Sequence, residues 1–194
     1  MLDQINSFGG RFPFVCAIDG CEGALGLMSI EHYPDSLVGA EQQFLENKNT
    51  SAAKAFVSGR RCIRALQKHL GLRKFEVLPG DYGPVWPNDL VGSISHTRKT
   101  VAATILKNVT SVGIDIEKRA RLKGRVVSRI ATEKEQLSCS SLPEFDWTVI
   151  FSAKEAVFKA LNPLAKSYIG FREVELLLDF ESQSFSVSYS GNTI

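Results

Sequence analysis

The sequence predicts an α+β protein in which small antiparallel sheets pack on long helices. Two observations predict it. Residues 90–96, 101–106 and 111–117 are short apolar-rich runs joined by turns, the spacing of a β-meander. Residues 50–70 and 151–161 repeat their apolar residues at helical intervals instead.

A chain of 194 residues suits one domain, or two small halves packed together, and can bury a sizeable core. Its 44% hydrophobic and 23% charged content is that of a globular protein, not of a disordered chain or coiled coil. A formal net charge of +2 makes no case for nucleic acid. The four cysteines, Cys16, Cys21, Cys62 and Cys139, form neither a CxxC pair nor a zinc-finger spacing. They read as reduced thiols of a cytoplasmic protein. The N-terminus has no basic stretch leading into an apolar run, so no signal peptide is expected. No apolar run reaches membrane-spanning length.

In chain order, apolar runs at 12–18 and 26–30 around a turn-rich segment predict two strands. Tyr33, Pro34 and Asp35 break the pattern, and residues 41–46 predict a short helix. A longer helix follows, with N-cap candidates Asn49, Thr50 and Ser51 and a closing glycine, Gly71. Phe56, Ile63, Leu66 and Leu70 form its apolar stripe. Arg60, Arg64 and Lys68 recur on another face, with Arg61 beside them. Lys68 reads as solvated. Arg60 suits a phosphate, because a guanidinium offers two parallel hydrogen bonds.

Residues 79–87 are crowded with Gly and Pro and predict a loop, with Trp86 as a core or pocket aromatic. The strand 90–96 places Ser93 and Ser95 on one face and Ile94 and His96 on the other. At a strand end the His96 ring can reach a ligand. Neutral or protonated, an imidazole can hydrogen-bond a phosphate.

The stretch 111–117 alternates strictly. Val112, Ile114 and Ile116 fall on one side, Gly113, Asp115 and Glu117 on the other, as in a half-buried strand. Asp115 and Glu117 then stand roughly 6–7 Å apart on one face. Carboxylates that close repel unless a cation, a proton or a basic side chain lies between them. A hard cation such as Mg²⁺ suits them, since it takes oxygen ligands. A solvated strand face suits them as well. Gly113 leaves room for a ligand to approach.

Between residues 118 and 129 the chain carries Lys118, Arg119, Arg121, Lys123, Arg125 and Arg129 and no acid. That is either a solvated face or a docking surface for an acidic partner. The helix at 151–161 is expected to end at Pro163. It sets Ser152, Glu155 and Lys159 on one stripe, flanked by Phe151 and Lys154. Glu155 would complete a cation site begun by Asp115 and Glu117. Residues 171–180 and 184–189 predict a closing β-hairpin.

Gly59-Arg60, Trp86-Pro87, Gly92-Ser93-Ile94-Ser95-His96, the stretch 113–117 and the helix 151–159, in this order and at these spacings, resemble the 4′-phosphopantetheinyl transferases. The subfamily most resembled activates siderophore and other nonribosomal peptide synthetases, the enterobactin-synthetase type. The resemblance implies two similar α+β halves, about 1–110 and 111–194, related by a pseudo-twofold axis with the active site in the cleft between them. It implies transfer of 4′-phosphopantetheine from coenzyme A to a serine of an apo acyl or peptidyl carrier protein. Adenosine 3′,5′-bisphosphate is released. By the same resemblance Asp115, Glu117 and Glu155 hold Mg²⁺, and Lys159 and Lys154 neutralise phosphate oxygens. Ser95, His96 and Arg60 contact the coenzyme's phosphates, and 118–129 meets the carrier. The resemblance leaves the general base open; Glu155, acting directly or through a metal-bound water, is the preferred one. A monomer is implied. Relatives often carry Lys or Arg before the Trp-Pro. Residues 79–82 hold none, leaving Arg60, Arg61, Lys54 or Lys74 for the 3′-phosphate. Two other classes remain: a different Mg²⁺-dependent phosphate-transfer enzyme on the same carboxylates, and a non-catalytic carrier-binding module in which the acids only pair with Arg or Lys.

Overall fold

The computed structural model describes residues 14–31, 36–46, 48–122, 124–142 and 144–190. The predicted break at residues 33–35 and the first two residues of the predicted strand 12–18 lie outside them.

The first half opens with β1 (Phe14–Ala17) and β2 (Gly23–Ser29). A 3₁₀ turn at Gly39–Leu45 stands where a short helix is expected, and α1 (Thr50–His69) follows. Asn49 caps α1 by accepting a 2.9 Å hydrogen bond from the Ala52 amide, and Gly71 takes φ +64° just beyond its end. The segment read as a loop folds into a small hairpin, β3 (Leu78–Gly80) and β4 (Gly83–Val85). Gly83, at φ +130°, supplies the turn geometry that other residues resist. Then come β5 (Leu90–His96) and β6 (Thr100–Lys107).

The main sheet is antiparallel, in the order β1-β2-β6-β5. Interior β6 is buried along nearly its whole length, which is why it reads as an unbroken apolar run. The α1 stripe packs on the sheet: Cys62, Ile63 and Leu66 are fully buried with Met28, Val101 and Ile105, and Trp86 seals the edge of this core. Strand alternation turns Ile94 toward α1, next to Gly59, and sends Ser93 and Ser95 to the opposite face.

That opposite face receives 111–117, and here the structure corrects the expected meander. The stretch joins no sheet ladder. Its Ile114 and Ile116 amides donate to the hydroxyls of Ser93 (3.1 Å) and Ser95 (3.4 Å), so side chains do the work of a neighbouring strand. Alternation was enough to give the stretch two faces but could not supply a ladder partner.

The second half contains α2 (Val127–Ile130), α3 (Glu133–Ser140), α4 (Thr148–Ala165), β7 (Val174–Asp179) and β8 (Ser184–Tyr189). Pro163 does not end α4. The helix runs on to Ala165 and stops at Lys166 in the left-handed region, φ +49°. A proline removes only one intrahelical hydrogen bond, and the Lys166 amide still donates to the Asn162 carbonyl at 3.0 Å. The hairpin β7-β8 forms as predicted and packs Val174 and Leu176 against Val157.

Candidate active site

Gly113, Asp115 and Glu117 share the face that alternation gives them. At Gly113 the neighbour is a helix, not a ligand. A Cβ there would strike the Ala156 carbonyl and the Ala160 amide of α4. The Ser111 hydroxyl donates to the Ala160 carbonyl, fixing the same contact. The room expected for a ligand is the room that lets the chain lie against α4.

Close packing puts Asp115 among donors from both halves. Its Oδ1 accepts from Ser95 Oγ (2.6 Å) of β5 and from Lys159 Nζ (2.7 Å) of α4. Its Oδ2 accepts from Ser152 Oγ at 2.9 Å. Lys159 also donates to the Ile114 carbonyl at 3.1 Å. Burial works to raise the Asp115 carboxyl, but the Lys159 ammonium and the two hydroxyls outweigh it and hold the group below the usual carboxylate range.

Glu117 pairs with the Arg121 guanidinium. Glu155 receives no hydrogen bond among the described residues. Burial pushes its carboxyl above the usual range; Lys159 and Arg121 oppose that, and Asp115 adds to it. Helical geometry explains the grouping, since Ser152, Glu155 and Lys159 lie three and four residues apart on one face.

A cleft of about 400 Å³ opens here, lined by Asp115, Glu117, Arg119, Ser152, Ala156 and Phe185 among others. All its lining residues come from the second half, and the Ser95–Asp115 bond joins it to the first. Two residues with no sequence motif shape its rim. Asp146 Oδ2 accepts from the Ala120 amide (2.8 Å), and Thr148 Oγ1 from those of Arg121 (2.9 Å) and Leu122 (3.2 Å). The only available signal was the ordinary preference for Asp and Thr at a helix start.

Lys154 is not in this group. It is fully buried, bonded through Nζ to Glu135 (2.8 Å) and to the carbonyls of Ile130 (2.9 Å) and Phe171 (2.8 Å). Arg60 is also apart: 5% exposed, with Nε 3.6 Å from Glu41. Burial pushes its guanidinium pKa down to about 10, against the opposing pull of Glu41. Its Cζ lies 4.2 Å from the centre of the Phe56 ring, over which Lys48 Nζ also sits at 5.2 Å. Arg64, one turn on from Arg60, reaches inward to Glu41 at 2.6 Å. His96 is exposed, its Nδ1 3.1 Å from the Thr97 carbonyl oxygen.

The donor set suits a hard cation: three carboxylates, one of them half-buried without a hydrogen-bond donor. As the side chains stand, no three carboxylate, imidazole or thiol groups among the described residues converge closely enough to hold one. Lys159 and Arg121 occupy Asp115 and Glu117 instead.

Residues 40–106 match the family model of the 4′-phosphopantetheinyl transferase N-terminal domain, and residues 111–193 that of the 4′-phosphopantetheinyl transferase superfamily. The chain is 35% identical over 139 residues to the 4′-phosphopantetheinyl transferase Svp of Streptomyces mobaraensis, covering 68% of this chain and 56% of that protein. It is 30% identical over 167 residues to the 4′-phosphopantetheinyl transferase Npt of Nocardia iowensis, covering 82% and 74%. Over 85 residues it is 41% identical to enterobactin synthase component D of Salmonella austin, covering 41% and 35%. The chain thus spans between about a third and three quarters of the lengths of these relatives. It belongs to the 4′-phosphopantetheinyl transferase superfamily.

Proposed function

We propose that this chain moves 4′-phosphopantetheine from coenzyme A to a serine hydroxyl of an apo peptidyl or acyl carrier protein. The observation that carries the proposal is the meeting of Lys159, Ser95 and Ser152 on Asp115, beside a cleft that Asp115, Ser152 and Glu117 line. Its relatives Svp and Npt bear the transferase name.

In the reaction the serine oxygen bonds to the β-phosphorus of the coenzyme. The bond from that phosphorus to the bridging oxygen breaks, and adenosine 3′,5′-bisphosphate leaves. The barrier is charge on the phosphates, so positioning and neutralisation dominate. Asp115, Glu117 and Glu155 would hold Mg²⁺, which supplies neutralisation of the pyrophosphate oxygens when bound. Lys159 adds a fixed positive charge. Glu155 takes the serine proton, directly or through a water. Lys154, saturated in the interior, is assigned to holding α4 in place. His96 meets the coenzyme's phosphates from the exposed end of β5, with Ser95 buried beside it. Arg60 and Lys48, gathered on Phe56, face the nucleotide end.

The carrier docks on the basic run, whose Lys118, Arg119, Arg121, Arg125 and Arg129 are all exposed. The family-model matches meet near residue 110, in keeping with two pseudo-repeat halves. A cytoplasmic monomer is the proposed form. No helix of the described residues is long and apolar enough to cross a membrane.

The test mixes the protein with coenzyme A, Mg²⁺ and apo peptidyl carrier, and follows adenosine 3′,5′-bisphosphate by chromatography. Release that needs both carrier and metal supports the transfer. Release without a carrier would point to a different phosphate-transfer enzyme. No release on several carriers would reject both.

A further inference from the structure

The basic turn after Glu117 is fastened more firmly than a solvated loop requires. Three successive amides, those of Ala120, Arg121 and Leu122, donate to Asp146 and Thr148 at the start of α4. Ala120 is held at φ +55°, a conformation an alanine resists. Thr148 is 4% exposed, and Asp146 Oδ1 also accepts from the Thr148 amide at 3.0 Å, so the anchor is itself tied down. The Arg121 backbone is thereby fixed, and its side chain has a short reach to choose from. The guanidinium lies over the Phe151 ring, Cζ 5.1 Å from the centroid, and pairs with Glu117, whose side chain is only 14% exposed. Its charge is felt at Glu155 as well.

We infer that Arg121 is a resident counter-cation of the acid site, one that a divalent metal must displace from Glu117 before the carboxylates can gather around it. This rests on the proposed assignment of Asp115, Glu117 and Glu155 to the metal. A half-exposed ion pair is a weak competitor on its own. Fixing the Arg121 backbone removes part of the entropy that normally weakens such a pair. The effect is a raised threshold: two of the three carboxylates are already paired with a basic side chain without metal, and the site binds metal less tightly than the carboxylates alone would.

The test is binding, not turnover. Free Mn²⁺ is titrated against the full chain by electron paramagnetic resonance, for the wild type, Arg121→Gln, Arg121→Lys and Glu117→Gln. The expected results are Mn²⁺ binding about threefold to tenfold tighter in Arg121→Gln, a smaller gain in Arg121→Lys, and a large loss in Glu117→Gln. Binding that needs Glu117 but is unchanged or weaker in both Arg121 variants would overturn the inference and leave the metal assignment standing. Binding indifferent to Glu117, or none in any variant, would overturn both.

Discussion

Glu41 and Glu135 do the same job in two separate places. Glu41 is fully buried and accepts from the Val38 amide three residues back, from the Val77 amide beyond α1, and from Arg64 on α1. Glu135 is 2% exposed and accepts from the Thr132 amide three residues back, from the Leu176 amide beyond α4, and from Lys154 on α4. In each half a buried carboxylate ties a short helical segment to a long helix and to the chain that follows it. The recurrence supports the proposed pseudo-repeat.

Breaking one such hub is costly, because the partner charge stays buried and unpaired. Lys154→Met should lower the unfolding free energy by about 3–5 kcal/mol. Chemical denaturation measures it. A change under about 1 kcal/mol would return Lys154 to the list of residues available for chemistry.

Gly113→Ala should destabilise by about 1–3 kcal/mol, since the added methyl meets helix backbone that cannot rotate aside. It should also cost activity, by pushing Asp115 off Lys159 and Ser152. A variant as stable and active as the wild type would show that α4 and 111–117 are not in such close contact.

The two carboxyls of the site predict opposite pH behaviour. Asp115 is held low when folded, so its ionised form stabilises at neutral pH. That contribution fades as pH falls from the ordinary carboxylate value through its folded pKa. Asp115→Asn should therefore be less stable than the wild type at neutral pH, with the gap closing in acid. Glu155 is held high, so its ionised form costs stability at neutral pH, and the cost disappears as pH falls below its ordinary value. Glu155→Gln should melt above the wild type at neutral pH and match it in acid. Melting curves from pH 3 to 8 check both signs.

Thr148→Val keeps the shape of the side chain but removes the acceptor for the Arg121 and Leu122 amides. Hydrogen exchange at those two positions should speed by tenfold or more, about the cost of leaving such groups unpaired. Unchanged protection would mean that the basic turn is held by something other than Thr148.

Much of this fold was legible because periodicity reports burial. The α1 stripe and the strands β5 and β6 follow directly from it. The 111–117 stretch shows the limit: alternation fixes which residues share a face but not what lies opposite, which is the α4 backbone at Gly113 and serine hydroxyls at Ile114 and Ile116. Lys154 teaches a related lesson. It is adjacent to Glu155 but turned roughly 100° from it around the helix, where Glu135 and the carbonyls of Ile130 and Phe171 hold it in the interior. Glu41 and Glu135 were out of reach. A carboxylate's burial depends on partners 19 to 41 residues away, Lys154, Val77 and Leu176 among them, and no local pattern marks that.

The most direct test of the central claim is the intact mass of an apo peptidyl carrier protein after incubation with this chain, coenzyme A and Mg²⁺. The wild type should add one phosphopantetheine to the carrier. Asp115→Asn and Lys159→Met should each slow that addition by about a hundredfold or more, while remaining folded. A carrier of unchanged mass with the wild type, or full modification by both variants, would contradict it.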